Sequence, residues 1–216
     1  MLTKINLTMK HYFKFTELTA ELIATCCYLG RSKFAPGTIG SIAAFPICYI
    51  VMHICLEKQI VFSINGFNDL EQLFLSLFFV EIGVTVMIFI IGTYATHIYI
   101  SNMTEKDPSE VVIDEVVGQM LTVILGSFSV IFINYGSSMY QHFDQLYLDV
   151  FFLILLPFCL FRLFDIVKPW PINWLDNKIR GALGVMIDDV AAAIFATVTQ
   201  YVIVFTLLNF FPLVTS

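Results

Sequence analysis

The sequence predicts an all-α membrane protein, a multihelical bundle of about six helices of which four or five cross the bilayer. Apolar residues make up 58% of the 216 residues and charged residues only 13%, whereas an average soluble domain carries about 25% charged residues. Five apolar stretches approach or exceed the roughly 20 residues that a helical span requires. In chain order they cover residues 40–56, 73–100, 116–135, 148–163 and 190–214.

The lengths of these stretches indicate which of them form complete spans. The second exceeds the required length and the third and fifth meet it, while the first and fourth are marginal and are compatible with short, tilted or interfacial helices. A sixth helix, amphipathic and lying at the membrane surface, is predicted at residues 16–29. We therefore divide the chain into an N-terminal segment, 1–30, that contains this amphipathic helix, and one helical membrane domain, 31–214.

The distribution of charge predicts the orientation in the membrane. With five spans and a cytoplasmic N-terminus, all but one of the 11 Lys and Arg residues fall on inner segments, and only Lys58 falls on an outer one. The net charge of −6 gives no basic surface for a nucleic-acid partner. We expect a multi-pass protein of the cytoplasmic membrane whose partners are lipids.

The five cysteines form no pattern typical of a metal site or a disulfide framework. Their number is odd, and the sequence has neither a CxxC pair nor a Cys/His ligand spacing. We expect free thiols in a reducing compartment.

Four polar segments of unusual composition fall on the predicted cytoplasmic side, although they are far apart in the sequence. Five spans would bring all four to one membrane surface, so we expect their side chains to form one site. The segments are RSKFAPGTIGS (31–41), DPSEVVIDEVVG (107–118), FRLFDIVKPWP (161–171) and GALGVMIDDV (181–190).

The first segment combines a tight turn with the start of a helix. Pro36-Gly37 is typical of a turn, and Thr38 or Ser41 can cap the helix that follows. Gly37 and Gly40 allow backbone N–H groups to approach a ligand closely, and such a helix N-terminus binds phosphate readily. The alternative is a plain capped turn that enters a membrane helix.

The second segment places acids at the start of an apolar helix. We expect Pro108 in the first turn of this helix, so that Glu110 and Asp114 share one face. Asp114 and Glu115 are adjacent and diverge by about 100°, so they can point at one spot only with the help of a neighbouring helix. The helix dipole favours acids at this position, but carboxylates at a membrane boundary are also functional candidates.

The third segment repeats charge every three residues. Arg162, Asp165 and Lys168 lie on one side of a helix, and Pro169 pushes Lys168 out of the helical conformation. Lys168 would then be a flexible ammonium group. A row of cation, carboxylate and cation suits both a phosphate and a divalent metal; the alternative is an internal ion pair, with Trp170 and Trp174 as interface anchors.

The fourth segment carries two adjacent carboxylates, Asp188 and Asp189, at the head of a long apolar helix. An N-cap role explains one of them, whereas a metal or a cationic neighbour explains both. We favour the functional interpretation.

Together the segments place six candidate carboxylates near two candidate cations on one surface. Oxygen ligands without His or Cys suit Mg²⁺, and the excess of acid over base requires such a cation. The carboxylates are Glu110, Asp114, Glu115, Asp165, Asp188 and Asp189, and the cations are Arg162 and Lys168.

Sequence patterns of several other hydrolases are absent. The four histidines lie outside the four segments, and no CX5R, DxDxT, GxSxG or Walker pattern occurs. Glu81 stands alone within the second apolar stretch; the alternatives are that it lines a polar path, pairs with another helix or marks a loop within the stretch.

Four segments, taken in this order, resemble the phosphatidylglycerophosphatase A family. They are APGTIGS (35–41), DPSEVVIDEVVG (107–118), FRLFDIVKPWPI (161–172) and GALGVMIDDVAA (181–192). The resemblance covers roughly residues 29–195. It departs from the family pattern at Ala182 and Ala193, where glycine is expected.

The resemblance implies an enzyme that removes the terminal phosphate of phosphatidylglycerophosphate, depends on Mg²⁺ and lies in the bacterial inner membrane. It also implies a bundle in which one helix is surrounded by others. The implied catalytic and metal-binding residues are Asp114, Glu115, Asp165, Asp188 and Asp189. The implied phosphate-binding residues are Thr38, Gly40, Ser41, Arg162 and Lys168.

Two mechanisms and two other classes of function stay open at this point. Activated water attacks phosphorus directly, or a carboxylate attacks it and forms an acyl-phosphate. A divalent-cation transporter or channel would use the same acids as an ion site and Glu81 as a pathway residue. A membrane assembly protein would use the acids only to cap helices.

Overall fold

The computed structural model describes residues 16–101, 103, 108–134 and 144–210, with the backbone alone for 131–134. Within these ranges the chain forms seven helices and no strand, which confirms the all-α prediction. The additional helix, α6, is a short one that follows Pro171. The helices are α1 (16–24), α2 (Pro36–Glu57), α3 (Asp69–Ile100), α4 (Ile113–Asn134), α5 (Gln145–Val167), α6 (Ile172–Lys178) and α7 (Ala182–Phe210).

Five helices, α2, α3, α4, α5 and α7, are long and apolar enough to cross a membrane. All five begin three to eight residues before the corresponding apolar stretches. The first turn of α3 is a capping box, in which the Asn68 side chain accepts from the Glu71 N–H at 3.0 Å and the Glu71 side chain accepts from the Asn68 N–H at 2.9 Å.

Helix α4 is the centre of the bundle. In its spanning window 67% of the residues are buried, against 11% in α3, and α4 contacts α2, α3, α5 and α7. Gly118 permits close approach here, since a Cβ at this position would lie 2.5 Å from the Phe161 ring. One helix surrounded by others is the arrangement that the resemblance implies.

Large apolar side chains are exposed on the four helices around α4, namely α2, α3, α5 and α7. Large apolar side chains such as Ile90 and Val86 on α3 and Val202 and Val198 on α7 are exposed, and a bilayer gives such surface an apolar environment. The chain is therefore a membrane protein.

The N-terminal helix ends earlier than predicted. It ends at residue 24, because Cys26, Cys27 and Tyr28 have left-handed backbone conformations and a 3-10 turn follows at Leu29–Arg31. In helix α1, Ala20 and Ala24 are buried, whereas Leu18 and Leu22 are exposed; its amphipathic character and surface location stay predictions. The proposed boundary at residue 30 stays a prediction.

The expected helix start at Pro108 is wrong, and Asp107 lies outside the described residues. Helix α4 begins at Ile113, and residues 108–112 form a turn followed by a short irregular segment. The N–H of Val112 donates to the Ala24 carbonyl at 3.0 Å instead of a helical acceptor. As a result, Glu110 and Asp114 do not share a helix face.

The capping prediction for α2 is also wrong. The residue before the helix, Ala35, has a φ of 44° and makes no side-chain cap. The Ser41 hydroxyl donates to the Gly37 carbonyl at 3.0 Å, within the helix.

Candidate active site

Four helix ends meet at one end of the bundle. Helices α2, α4 and α7 begin there and α5 ends there, so all four polar segments contribute to a single region. The contacts that join them run from Ser41 to Arg162, from Gly37 to Glu115 and from Lys168 to Asp188. Spans that connect alternate membrane faces produce this convergence, as the sequence predicted.

A cluster of three carboxylates lies at the centre of this region. One oxygen each from Asp114, Glu115 and Asp189 lie within 4.8 Å of one another. The two acids of α4 diverge around their own helix, and α7 supplies the third from the opposite side. We call these three residues the acidic trio.

The trio is buried and incompletely hydrogen-bonded. Asp114 is 8% and Asp189 3% exposed. Glu115 Oε2 and Asp189 Oδ2 are buried without a hydrogen-bond partner among the described residues. Buried carboxylate oxygens are costly unless something binds them, so these oxygens are positioned to accept a proton or a metal ion.

Arg162 and Asp165 lie beside the trio. Arg162 Nη1 is 2.6 Å from Asp165 Oδ2 and donates to Ser41 Oγ at 3.4 Å. Asp165 in turn acts electrostatically on both Glu115 and Asp189. The guanidinium is therefore held in place by the carboxylate one helical turn further along α5.

Gly37 provides the space in which these groups meet. A Cβ at this position would overlap Glu115 Oε1 and would lie 3.1 Å from the Arg162 guanidinium nitrogens. Gly40, one turn further, lies against Val112 instead, where a Cβ would be 2.9 Å from the Val112 carbonyl oxygen. Gly37 thus belongs to the site, and Gly40 to the packing of α2 on α4; Thr38 is half-buried.

Lys168 is paired rather than flexible. It is the residue after α5, with a φ of 42°, and its N–H donates to the Phe164 carbonyl. Its Nζ lies 2.5 Å from Asp188 Oδ2 and 3.5 Å from Asp176 Oδ1. Partial burial opposes its charge, but the hydrogen bond and charge of Asp188, followed by Asp176 and Asp189, raise the pKa of the ammonium group above its ordinary value.

The pairing of Lys168 explains how Asp188 is stabilised at a site that is 4% exposed. The sequence interpretation called for a metal or a cationic neighbour to explain both adjacent acids. The structure provides a cation for Asp188 and places Asp189 among other carboxylates. Asp176 was missed, because it lies on the short helix α6 that was not predicted.

Two predicted acids lie outside this region. The Glu110 carboxylate accepts from the Tyr99 hydroxyl at 2.8 Å and lies 3.6 Å from Arg31. Glu81 lies in the middle of α3 and lines a separate cavity. Among the described residues, the site thus contains five of the six candidate carboxylates, together with the two candidate cations, Arg162 and Lys168.

The family model of phosphatidylglycerophosphatase A matches residues 22–204, which is most of the chain. The chain belongs to the phosphatidylglycerophosphatase A family. The resemblance based on four motifs is therefore confirmed, and so is the enzyme class of phosphoric monoester hydrolase.

Similar bacterial proteins cover most of the same length. Phosphatidylglycerophosphatase A of Escherichia coli (strain K12) is 26% identical over 183 residues, which are 85% of this chain and 82% of that protein. Phosphatidylglycerophosphatase A of Haemophilus influenzae is 30% identical over 174 residues, 81% of this chain and 82% of that protein. A putative phosphatidylinositol-3-phosphatase of Bacteroides thetaiotaomicron is 29% identical over 175 residues, 81% of this chain and 87% of that protein.

Solved structures gave no match. Membership in this phosphatase family does not favour the alternative of a cation transporter or channel.

Proposed function

We propose that this phosphatidylglycerophosphatase A family member is a Mg²⁺-dependent lipid phosphatase that converts phosphatidylglycerophosphate to phosphatidylglycerol and phosphate. The observation that carries the proposal is the acidic trio, buried beside Arg162 at one end of an apolar bundle. The names of two similar proteins supply the substrate.

The acidic trio fits a hard divalent cation. Its donors are all carboxylate oxygens, and two of the buried oxygens are without a partner among the described residues. Mg²⁺ prefers such ligands, usually one or two carboxylates together with waters and substrate phosphate. When bound there, Mg²⁺ supplies a counter-charge for phosphoryl oxygens and lowers the pKa of water.

The residues around the trio bind and orient the substrate. Arg162 is oriented by Asp165 and Ser41, and its remaining donors are available for a phosphoryl oxygen; a planar guanidinium suits this role. The first turn of α2 is proposed to direct its N–H groups, at Gly37 and Thr38, toward the same phosphate, while Gly40 lets α2 approach α4 and the Ser41 hydroxyl orients Arg162. Lys168 holds Asp188 in place at the edge of the site and adds positive charge.

One of the buried carboxylates acts either as the general base or as the nucleophile. In the first route, Glu115 or Asp189 takes a proton from water while the water oxygen bonds to phosphorus and the bond to the glycerol oxygen breaks. In the second, a carboxylate oxygen bonds to phosphorus while the bond to the glycerol oxygen breaks and that oxygen takes up a proton, and water later hydrolyses the acyl-phosphate to carboxylate and phosphate. Labelled phosphate that stays on the protein after an acid quench would support the second route and exclude the first.

We place the reaction at the cytoplasmic face of the bacterial inner membrane. The described basic residues near the site are Arg31, Lys33, Arg162, Lys168, Lys178 and Arg180, whereas Lys58 lies at the other end of the bundle. Such an asymmetry is typical of the cytoplasmic side. The phosphorylated headgroup would then meet the acidic trio while the acyl chains stay in the bilayer.

The decisive experiment measures phosphate release from phosphatidylglycerophosphate by the detergent-purified full chain, with Mg²⁺ and with a chelator. We expect release that requires Mg²⁺ and that falls about 10²-fold or more in Asp189→Asn and Glu115→Gln. Glu110→Gln is the matched control, because this acid lies outside the trio. Equal rates in all four proteins would refute the proposal.

A second measurement tests the metal without catalysis. Mg²⁺ at about 100 times its Kd should stabilise the wild type by about 2.7 kcal/mol, seen as a higher midpoint of thermal unfolding in detergent. Asp189→Asn should lose most of this increase. If the midpoint rises equally in both proteins, the trio is not the magnesium site.

Substrate choice needs its own comparison, because one similar protein is named for a different lipid. We expect kcat/KM to be higher for phosphatidylglycerophosphate than for phosphatidylinositol 3-phosphate. The reverse order would still support phosphatase activity but would show that phosphatidylinositol 3-phosphate is the preferred substrate of the two.

A further inference from the structure

A second feature lies deeper in the bundle than the acidic trio. It is a cavity of about 590 Å³ between α2, α3, α4 and α5. Apart from Glu81, Ser127 and Asp149, its walls are apolar or aromatic, with side chains such as Phe45, Met52, Phe78 and Leu153. Its volume lies within the range of about 300–1,000 Å³ that is usual for ligand-binding pockets.

Two irregular helix segments border this cavity. Pro46 lies inside α2 and lines it; a proline within a helix removes a backbone hydrogen bond and bends the chain. On the opposite side, α5 contains a π-helical turn at Phe151–Leu155 whose Leu153 and Ile154 line the cavity. Such turns are rare and are frequent at functional sites.

The π turn is stabilised by a buried side chain from another helix. Gln200 of α7 is fully buried, and its Nε2 donates to the Phe152 carbonyl at 3.0 Å. The same nitrogen is 3.0 Å from Ser129 Oγ and 3.2 Å from the Gly126 carbonyl on α4. The cavity wall is thus held in its irregular shape.

The depth of the cavity matches that of an acyl chain. With a rise of about 1.5 Å per residue, the cavity-lining residues of α2 lie about 6–17 Å beyond Ser41, and those of α4 lie about 12–22 Å beyond Glu115. A lipid whose terminal phosphate sits at the trio extends its chains through this range of depth. Phe45, which lines the cavity, packs against Phe158 of α5, about one helical turn before Arg162, with ring centroids 6.3 Å apart.

We propose that this cavity holds one acyl chain of the phospholipid substrate. The inference rests on the proposed function, because it assumes that the headgroup binds at the acidic trio. An acyl chain gains little hydrophobic free energy when it moves from the bilayer into an apolar cavity. The benefit is positional: a chain held in one place fixes the phosphate relative to Arg162 and the acidic trio.

Photocrosslinking tests occupancy directly. The probe is a phosphatidylglycerophosphate whose acyl chain carries a diazirine near its middle, and the protein is the full-length chain in detergent–lipid micelles. We expect mass spectrometry to find crosslinks concentrated on cavity residues of α2 and α3, such as Met52 and Phe78. Crosslinks spread evenly over lipid-facing residues such as Ile90 and Val202 would overturn the proposal.

Filling the cavity with a larger side chain should change how kcat/KM depends on the length of the substrate's acyl chains. In Ser127→Phe, a larger side chain occupies the cavity, and we expect the ratio of kcat/KM for dipalmitoyl over dihexanoyl substrate to fall about tenfold. Val198→Phe adds the same ring to an exposed position of α7 and should leave this ratio unchanged. An unchanged ratio in Ser127→Phe would overturn the proposal, and equal melting temperatures check that both variants are folded.

The two carboxyl groups in the wall suggest a cation as the competing occupant. Glu81→Leu makes the wall more apolar, so an acyl chain predicts crosslinking at the same residues with equal or higher yield. Loss of the crosslinks would overturn the proposal. If the wild type releases no phosphate from either substrate, the proposed function fails, whereas release with scattered crosslinks refutes only the acyl-chain site.

Discussion

Among single residues, Gly37 is the position at which the site has no space for a side chain larger than a hydrogen atom. We expect Gly37→Ala to reduce phosphate release about 10²-fold, because displacement of reacting groups by about 1 Å has effects of this size. The new Cβ would overlap the Glu115 carboxylate and crowd Arg162. The measurement is kcat/KM at saturating Mg²⁺, together with the unfolding midpoint, which should fall by the equivalent of about 1–3 kcal/mol.

Gly83→Ala is the matched control for this prediction. A Cβ on Gly83 has no atom within 4 Å, so activity should not change, and helix propensity favours alanine by about 1 kcal/mol. If Gly37→Ala and Gly83→Ala have equal activity, the close approach at Gly37 does not matter for catalysis.

Variants of the ion pair between Lys168 and Asp188 can distinguish a structural role of Lys168 from a phosphate-binding role. In Lys168→Met the buried Asp188 carboxylate loses its cation, and we expect a loss of about 2–4 kcal/mol in unfolding free energy. The double variant Lys168→Met/Asp188→Asn should recover part of this loss, because it removes the unpaired charge. A direct phosphate role instead predicts a higher KM with unchanged stability in Lys168→Met.

The difference in unfolding free energy between wild type and Lys168→Met should depend on pH in a definite direction. A raised folded-state pKa means that the stabilisation by Lys168 is complete below its unfolded pKa and is lost only as the pH rises through the folded value. The stability gap between wild type and Lys168→Met should therefore not shrink as the pH rises from neutral to about 9. A gap that closes in this range would show that the ammonium is not held by Asp188.

At the residue scale, the sequence identified the carboxylates of the site but not which of these side chains lie next to each other. Asp114, Glu115 and Asp189 were candidates because acids at the ends of apolar helices are unusual, and their spacing cannot reveal which oxygens meet. Glu110 was grouped with them through an assumed helix at 107–118. The structure separates it because Val112 bonds to Ala24 rather than continuing a helix.

At the scale of elements, Gln200 connects three helices. Its amide contacts α4 through Gly126 and Ser129 and the π turn of α5 through Phe152. In Gln200→Leu the Phe152 carbonyl loses this donor in an apolar interior, and we expect a loss of about 1–3 kcal/mol in stability. Thermal unfolding in detergent measures this change.

Thr206→Val is the control for the Gln200 prediction, since this exposed hydroxyl bonds only within its own helix, to Val202. It should alter stability by no more than about 0.5 kcal/mol. A Gln200→Leu protein as stable as Thr206→Val would show that the amide does not support the π turn.

The existence of the long helices was predictable, because hydropathy and length determine it, and their local irregularities were not. The stretch 148–163 gives no signal for a π turn, which depends on Gln200 some 45 residues later in the chain. Helix α6 was missed because Pro169 and Pro171 indicate only where α5 ends. The central position of α4 came from the family resemblance, since hydropathy cannot distinguish burial in protein from burial in lipid.

For the whole molecule, the orientation in the membrane decides which lipid leaflet supplies the substrate. Helix α2 has 22 residues, about 33 Å at 1.5 Å per residue, so its two ends lie on opposite sides of a hydrocarbon core of about 30 Å. The acidic trio is at the end of the bundle where α2 begins, and the loop that contains Lys58 and Asn65 is at the other.

We therefore expect single cysteines at these two ends to react from opposite sides of the membrane. In a cysteine-free background that still releases phosphate, Asn65→Cys should react with a membrane-impermeant maleimide in intact bacterial spheroplasts. Lys33→Cys, an exposed position near the trio, should react only in inside-out vesicles, because the positive charges keep that end in the cytoplasm. The reverse pattern would place the acidic trio outside and would require the substrate to come from the outer leaflet.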